Sequence, residues 1–553
     1  MFNTSDEKLL EDVVDLLLRG GHLWTAEPEQ PWVQALAVKD GKIAWLGSDD
    51  EAAGLATAST EVIELGGRLG LPGFVDAHNH LRLGTGSDAV HLGGVLSIDG
   101  IRARIAEWLD HNPDATWVYG ETWEYPAFPN GRRPRASDLE GATGGRPAFL
   151  LDLAVHTAWL NQEALDVFGI TSQTDRVPFG IVEHDPVTGE PTGCVNDFAV
   201  HGLSRAGLAA LKDVVPAFSA DAQYARVRES LQMAAGFGIT TVVEPQNSLD
   251  DLALFSRARS EGTLTSRLVA ALFHPAGTSD AEVAEFNEAR RKYDDDWFRT
   301  GPIKLYIDDT VEPHLAAMLE PYANLPESTG QMYYDHDEFG DLIAKLDAQR
   351  FQCFVHAIGD RGVRTVLDAF EHAQNVNGSR DSRHQIVHVE ASTADDLKRF
   401  GQLGVVACMQ PRHSRPEIAD TWKANVGSHR WSTSWAMRSI LAGGGTVALS
   451  SDWNTSEMDP LLGLYSAQTR AREDGTDAWV TEQTLTLEQA LYGYTMGSAR
   501  ANFAEQNRGS LAVGKYADLA VVSQNIFESE PAALLDTRVE LTMVGGTMPH
   551  RTM

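Results

Sequence analysis

Two histidines one residue apart, His78 and His80, close the apolar run Leu71-Pro72-Gly73-Phe74-Val75-Asp76-Ala77. Residues i and i+2 of a strand project to the same side, so the pair offers two imidazoles to one metal ion. Such a pair also arises by chance in a long chain, and its meaning depends on what ends the later apolar runs. Lys304 lies in Pro302-Ile303-Lys304-Leu305-Tyr306-Ile307-Asp308 and His356 in Val355-His356-Ala357-Ile358-Gly359-Asp360. His388 lies in Ile386-Val387-His388-Val389-Glu390 and Asp452 in Ser450-Ser451-Asp452-Trp453. Singly, each has an ordinary explanation. The histidines could be hydrogen-bonded core residues, Lys304 could pair with Asp308 or Asp309, and Asp452 could cap a helix. Together they form a series of ionisable groups at the ends of buried runs, where each needs a partner.

The elements that would position them alternate short apolar strands with longer amphipathic stretches. Leu71 to His78, Gly238 to Pro245, Ser266 to Phe273, Pro302 to Asp308, Phe351 to Ile358, His384 to Glu390, Gly404 to Gln410 and Thr446 to Asp452 make eight, the count of an α/β (β/α)8 TIM barrel. Active sites of such barrels sit where the strands end. The expected barrel covers 71–98 and 228–504. The stretch 99–227, rich in Trp and Pro and then in Gly, interrupts the alternation after the first strand and reads as an inserted subdomain. Short apolar runs broken by Asp40-Gly41 and Gly66-Gly67 near the start, and by Gly514 and Gly545-Gly546 near the end, read as strands and turns. Segments 1–70 and 505–553 are expected to build one small β-sandwich.

The chain has 553 residues, 43% of them hydrophobic, enough for a large catalytic domain and a smaller module. Its 45 Lys+Arg against 78 Asp+Glu give a formal charge of -33, which argues against nucleic acid and anionic membranes as partners. Cys194, Cys353 and Cys408 are scattered, without the spacing of a disulfide framework or a cysteine zinc site. Met1 to Arg19 lacks the basic start and cleavage site of a signal peptide, and no segment is apolar for long enough to span a bilayer. The expectation is a cytoplasmic protein.

The order His-x-His, Lys, His, His, Asp on strands one, four, five, six and eight resembles the amidohydrolase superfamily of metal-dependent hydrolases. It is most similar to the amidohydrolase-3 branch, the YtcJ-like proteins, N-substituted formamide deformylases among them. Pro72 to His80, Lys304-Leu305-Tyr306, His356 to Asp360, Ser451-Asp452-Trp453 and Gly514 to Leu519 carry the likeness over nearly the whole chain. The resemblance implies two divalent metal ions, zinc above all. His78, His80 and Asp452 would hold one and His356 and His388 the other, bridged by a carboxylated Lys304. It also implies a small-molecule substrate and a homodimer.

Two cations sharing a water would make a hydroxide, and Asp452 would carry its proton to a leaving nitrogen. The leading function is therefore hydrolysis of a non-peptide carbon-nitrogen bond in an amide, N-acyl, N-formyl or cyclic amide substrate. Alternatives on the same scaffold are a deaminase, an ester or carbon-carbon bond hydrolase, a decarboxylase, and a catalytically silent metal-binding protein. His156, in Asp152 to Asn161, matches a recurrent motif of the branch and is a catalytic candidate, set against an ordinary surface histidine. Trp123, Glu312, His314, His413 and Trp453 are candidate pocket residues, with simple packing the competing explanation for the tryptophans. Asp308-Asp309-Thr310 and Gly193-Cys194-Val195-Asn196-Asp197 depart from the branch's usual Asp-Gly-Ser and Glu-bearing motifs. Both departures border the expected pocket.

Overall fold

Eight parallel strands form one sheet, numbered here as barrel strands: β1 Phe74–Asp76, β2 Ile239–Asn247, β3 Arg267–Phe273, β4 Phe298–Tyr306, β5 Cys353–Ala357, β6 Gln385–His388, β7 Val406–Met409 and β8 Thr446–Leu449. The computed structural model describes residues 14–84, 89–129 and 132–553; the N-terminal reading of Met1 to Val13 lies outside these. β2 and β3 are buried along their full length, as strands covered on both faces must be. The sheet closes into a barrel where β8 returns to β1: Ala77 N donates to Leu449 O (3.4 Å), Asp452 N to His78 O (2.8 Å) and His80 N to Trp453 O (2.6 Å). Closure thus brings the His-x-His segment and Asp452 side by side, although they lie far apart in the chain.

The first apolar run is not one strand. Leu69–Pro72 pairs antiparallel with Leu519–Val522 in a six-stranded sheet, and only Phe74–Asp76 enters the barrel. Gly73 is the crossing point: its N donates to Asp518 O, Phe74 N donates to Gly238 O, and a Cβ on Gly73 would lie 2.2 Å from Thr240 Cγ2. Only glycine passes there without displacing a neighbour.

The six-stranded sheet draws on both ends of the chain, in the order Thr547–Arg551, Val539–Val544, Leu519–Val522, Leu69–Pro72, His22–Trp24, Trp32–Val33. A four-stranded sheet (Lys42–Gly47, Ala35–Lys39, Leu16–Arg19, Glu61–Glu64) shares an apolar cluster with it, including Leu18, Leu36, Leu23, Val521 and Leu541. A buried ion pair anchors this unit to the barrel: Arg267 of β3 grips Asp518 through Nε–Oδ2 (2.7 Å) and Nη2–Oδ1 (3.0 Å).

Between β1 and β2 a seven-stranded sheet runs from Val90–His91 to Pro191–Asn196, so its first strand precedes residue 99. It has apolar clusters of its own around Phe149, Phe198 and Trp159. The helix Ala220–Gly236, capped by Ser219, leads back to β2. Buried Arg82, just past the His-x-His segment, ties the exit of β1 to β2. It lies 3.1 Å from Asp251 and 3.7 Å from Glu244, and bonds the Gln246 carbonyl.

Candidate metal centre and active-site cavity

His78 and His80 face the barrel mouth because Asn79 between them faces the other way. Its Nδ2 donates to Asp76 Oδ2 (2.9 Å), and Asp76 also accepts from Ser451 Oγ (2.6 Å) and Ser451 N (3.0 Å). That lattice fixes β1 against the end of β8 and presents Asp452 to both imidazoles. Asp452 Oδ1 lies 3.1 Å from His78 Nε2 and 3.2 Å from His80 Nε2. Burial alone would raise its carboxyl, but His78, His80 and His388 hold it well below the ordinary carboxylate range. Burial, with the Lys304 charge, lowers His78 to about 3, so the ring is neutral beside an ionised carboxylate. Neutral imidazole and carboxylate are the forms that bind a metal.

His388 closes the group from β6. Its ring lies 5.4 Å from that of His78 and 4.6 Å from that of His356. Its Nδ1 is 3.0 Å from Gln410 Oε1, and Gln410 Nε2 donates to Ser450 Oγ (2.9 Å). The amide therefore presents an acceptor, which places the proton on Nδ1 and leaves Nε2 free for a ligand. His388 (φ 79°), Val389 (φ 51°) and Asp452 (φ 57°) all take left-handed backbone conformations, costing about 1–3 kcal/mol each. Three such residues at the ends of β6 and β8 mark a site where the packing enforces an unfavourable geometry.

Lys304 and His356 lie on adjacent strands, with Tyr306 stacked on His356 (4.6 Å). Lys304 is completely buried, and its Nζ has no hydrogen-bond partner among the described residues. Burial lowers it to about 7, so near neutrality much of it is a free amine. It has no salt bridge to either adjacent acid. Asp308 accepts the backbone N–H groups of Ala317, Ile358 and Gly359. Asp309 pairs with His156, Nδ1 to Oδ1 2.7 Å.

His156 reaches the mouth from the turn between Ala148–Asp152 and Thr157–Leu160, its ring 5.9 Å from that of His356. Burial works against its charge, but Asp309, then Asp152 and Asp197, outweigh it and lift the ring to about 9. Tyr333 OH, with one proton to donate, lies between two carboxylates, 3.0 Å from Asp309 Oδ2 and 3.3 Å from Asp197 Oδ1. The two departures from the branch motifs therefore meet in one cluster around His156.

A cavity of about 410 Å³ opens above these groups. Trp123, Glu312 and His413 line it, as do Tyr125, Leu153, Trp422 and Trp435. Trp453 and His314 do not. Trp453 packs beside the core while its carbonyl fixes His80, and half-buried His314 packs against Tyr322 and Asn324, lining a neighbouring cavity instead. His413, from the turn after β7, comes closer to the ligand cluster than its place in the sequence suggests. Its Nε2 is 3.5 Å from Asp452 Oδ2 and its Nδ1 3.7 Å from Glu390, contacts that raise it against the opposing effect of burial. Sequence reasoning did not single out Asp309 or Glu390 as functional, because their roles depend on partners from other strands.

The donors suit a divalent cation. His78, His80 and Asp452 offer ligand atoms all within 4.8 Å of one another, as do His388, His413 and Asp452. Asp452 Oδ1, Lys304 Nζ and His356 Nε2 are buried with no hydrogen bond of their own. Imidazole and carboxylate donors arranged this way suit zinc or a similar ion.

A closed parallel barrel with a histidine and aspartate cluster at its strand ends defines the class of metal-dependent hydrolases. The sequence profile of the amidohydrolase family, Amidohydro_3, matches residues 61–548, and the chain belongs to that family. It is 27% identical to the putative amidohydrolase YtcJ of Bacillus subtilis, over 96% of this chain and 98% of that one. It is 23% identical to an N-substituted formamide deformylase of Arthrobacter pascens, over 97% and 98%. Its fold is similar to that of an uncharacterized metal-dependent hydrolase from Pyrococcus horikoshii, with a TM-score of 0.74 and 21% identity, over 93% of this chain and 99% of that one.

Proposed function

We propose that this protein hydrolyses a non-peptide carbon-nitrogen bond in a small N-acyl, N-formyl or cyclic amide. His78, His80 and Asp452 would hold one divalent ion, zinc by donor type, and His356 and His388 a second. Lys304, carboxylated on Nζ, would bridge them. Such ions supply Lewis acidity, which polarises a carbonyl and acidifies a water. The observation that carries this reading is the buried, unpartnered Lys304 amine, lowered to about 7, between histidines and an ionised Asp452. A neutral amine can capture carbon dioxide, whereas an ammonium cannot.

The chain's own residues divide the remaining work. Asp452 takes the proton of the attacking water on its carboxylate and returns it to the leaving nitrogen. His156, charged and steered by Asp309, donates a hydrogen bond to the oxygen that gains charge as the carbonyl carbon becomes tetrahedral. Tyr306 packs against His356 and limits water behind the ligands. The two terminal sheets, read together as one β-sandwich domain, serve as a scaffold, and the cytoplasm is the setting we assign. No helix among the described residues is long and apolar enough to cross a membrane.

The direct test is turnover of N-formyl and N-acyl amines and of cyclic amides by zinc-reconstituted protein, with Asp452→Asn as control. Turnover by the wild type that disappears in Asp452→Asn supports the proposal. Turnover undiminished in Asp452→Asn overturns the assignment of Asp452.

A further inference from the structure

The two carboxylate oxygens of Asp452 face different histidines. Oδ1 lies 3.1 and 3.2 Å from the Nε2 atoms of His78 and His80, whereas Oδ2 lies 3.5 Å from His413 Nε2. His413 is only 8% exposed, and its Nε2 has no hydrogen-bond partner among the described residues. A direct hydrogen bond between imidazole and carboxylate closes to about 2.7–3.2 Å. Two ligands each about 2.0–2.1 Å from one tetrahedral ion stand roughly 3.4 Å apart. The gap between His413 and Asp452 is therefore that of two ligands sharing an ion.

The direction of the ring is imposed by its surroundings. The short turn Pro411–Ser414 that carries it is pinned on both sides of the histidine. Arg412 holds Glu457 through Nε–Oε2 (3.0 Å) and Nη2–Oε1 (2.9 Å), and Ser414 O accepts from Trp479 Nε1 (2.7 Å). Behind the ring, Glu390 Oε1 lies 3.7 Å from Nδ1, while Glu390 Oε2 accepts from Trp422 Nε1 (2.9 Å). A carboxylate at that end favours a proton on Nδ1 and leaves the Nε2 lone pair for an ion. His388 stands alongside, its ring 5.9 Å from that of His413 and parallel to it within 8°. His388, His413 and Asp452 thus offer ligand atoms within 4.8 Å of one another, a limit that His78, His80 and Asp452 also meet.

We propose that His413 is a further metal ligand, which joins His388 and the Oδ2 side of Asp452 in holding the second divalent ion. The assignment rests on the metal-centre reading above and adds a residue outside the His-x-His, Lys, His, His, Asp order. It ties the ion to the turn after β7, a strand that carries none of the other candidate ligands. The carboxylates on either side favour a proton on the free ring, so loading the ion releases that proton.

The test is a crystal structure of zinc-loaded wild-type protein with anomalous difference maps at the zinc edge, beside zinc titrations of His413→Gln in competition with a chelator. A zinc peak about 2.0–2.1 Å from His413 Nε2 is expected. In His413→Gln one of the two ions should bind at least about tenfold more weakly, with the other unchanged and the circular dichroism that of the wild type. Zinc at His78, His80 and Asp452 with no peak within about 3 Å of His413 Nε2 overturns the proposal and leaves the metal centre standing. A folded His413→Gln protein that binds both ions as the wild type does overturns it equally. Absence of zinc from all of these residues overturns the metal centre itself and this ligand with it. Should His413→Gln fail to fold, the wild-type maps decide.

Discussion

Replacing Asp309 with Asn removes the carboxylate 2.7 Å from His156 Nδ1 while keeping its size. That contact, with help from Asp152 and Asp197, lifts His156 from 6.5 to about 9 despite burial. At 1.36 kcal/mol per pH unit the lift corresponds to roughly 3 kcal/mol for a residue this buried. A group whose pKa is raised on folding adds stability that is complete below its unfolded value and lost as pH rises through its folded value. Asp309 therefore stabilises the protein fully near pH 6 and progressively less towards pH 9. Denaturant titrations of wild type and Asp309→Asn should show a stability gap that narrows by up to about 3 kcal/mol between those limits. Carbon-13 NMR of labelled histidine should show His156 titrating below neutrality in the variant. A gap that does not change with pH, or an unshifted His156, would refute the pairing and with it the charged role of His156.

Lys304→Arg places a permanent cation where the proposed carbamate would stand and cannot form one. Metal retention and turnover should fall at least about tenfold, as measured by metal analysis beside rate assays. Arg267→Ala leaves the Asp518 carboxylate buried with Gly545 N as a remaining donor and should cost about 3–5 kcal/mol in chemical denaturation. Gly73→Ala places a methyl against Thr240 and should cost about 1–3 kcal/mol, part of which Thr240→Ala recovers in the double variant.

The barrel was legible because each strand is a short apolar run, and the candidate ligands stood out because an ionisable group at the end of such a run is conspicuous. His78, His80, Lys304, His356, His388 and Asp452 all lie at one end of the sheet, where the alternation of strands put them. Less visible was anything set by contacts between distant segments. The run from Leu71 reads as one strand, but Gly73 divides it between two sheets because Thr240 leaves no room for a side chain. Asp308 and Asp309 look interchangeable as partners of Lys304, yet one caps three backbone amides and the other holds a histidine from the inserted segment. His413 follows β7 in a short 3-10 turn, and the pairing of β7 with β8 brings it to Asp452. The pocket wall depends on how the seven-stranded sheet docks over the barrel, which local pattern does not encode.

The central claim is that this strand-end cluster is a metal site. Its most direct measurement is zinc titration into chelator-treated protein, with bound metal counted per chain in wild type and in His78→Ala and His388→Ala. The account predicts two tightly bound ions per chain in the wild type, and loss of tight binding in each variant while the fold persists by circular dichroism. Wild-type protein that binds no stoichiometric metal, or variants that bind as the wild type does, would contradict it.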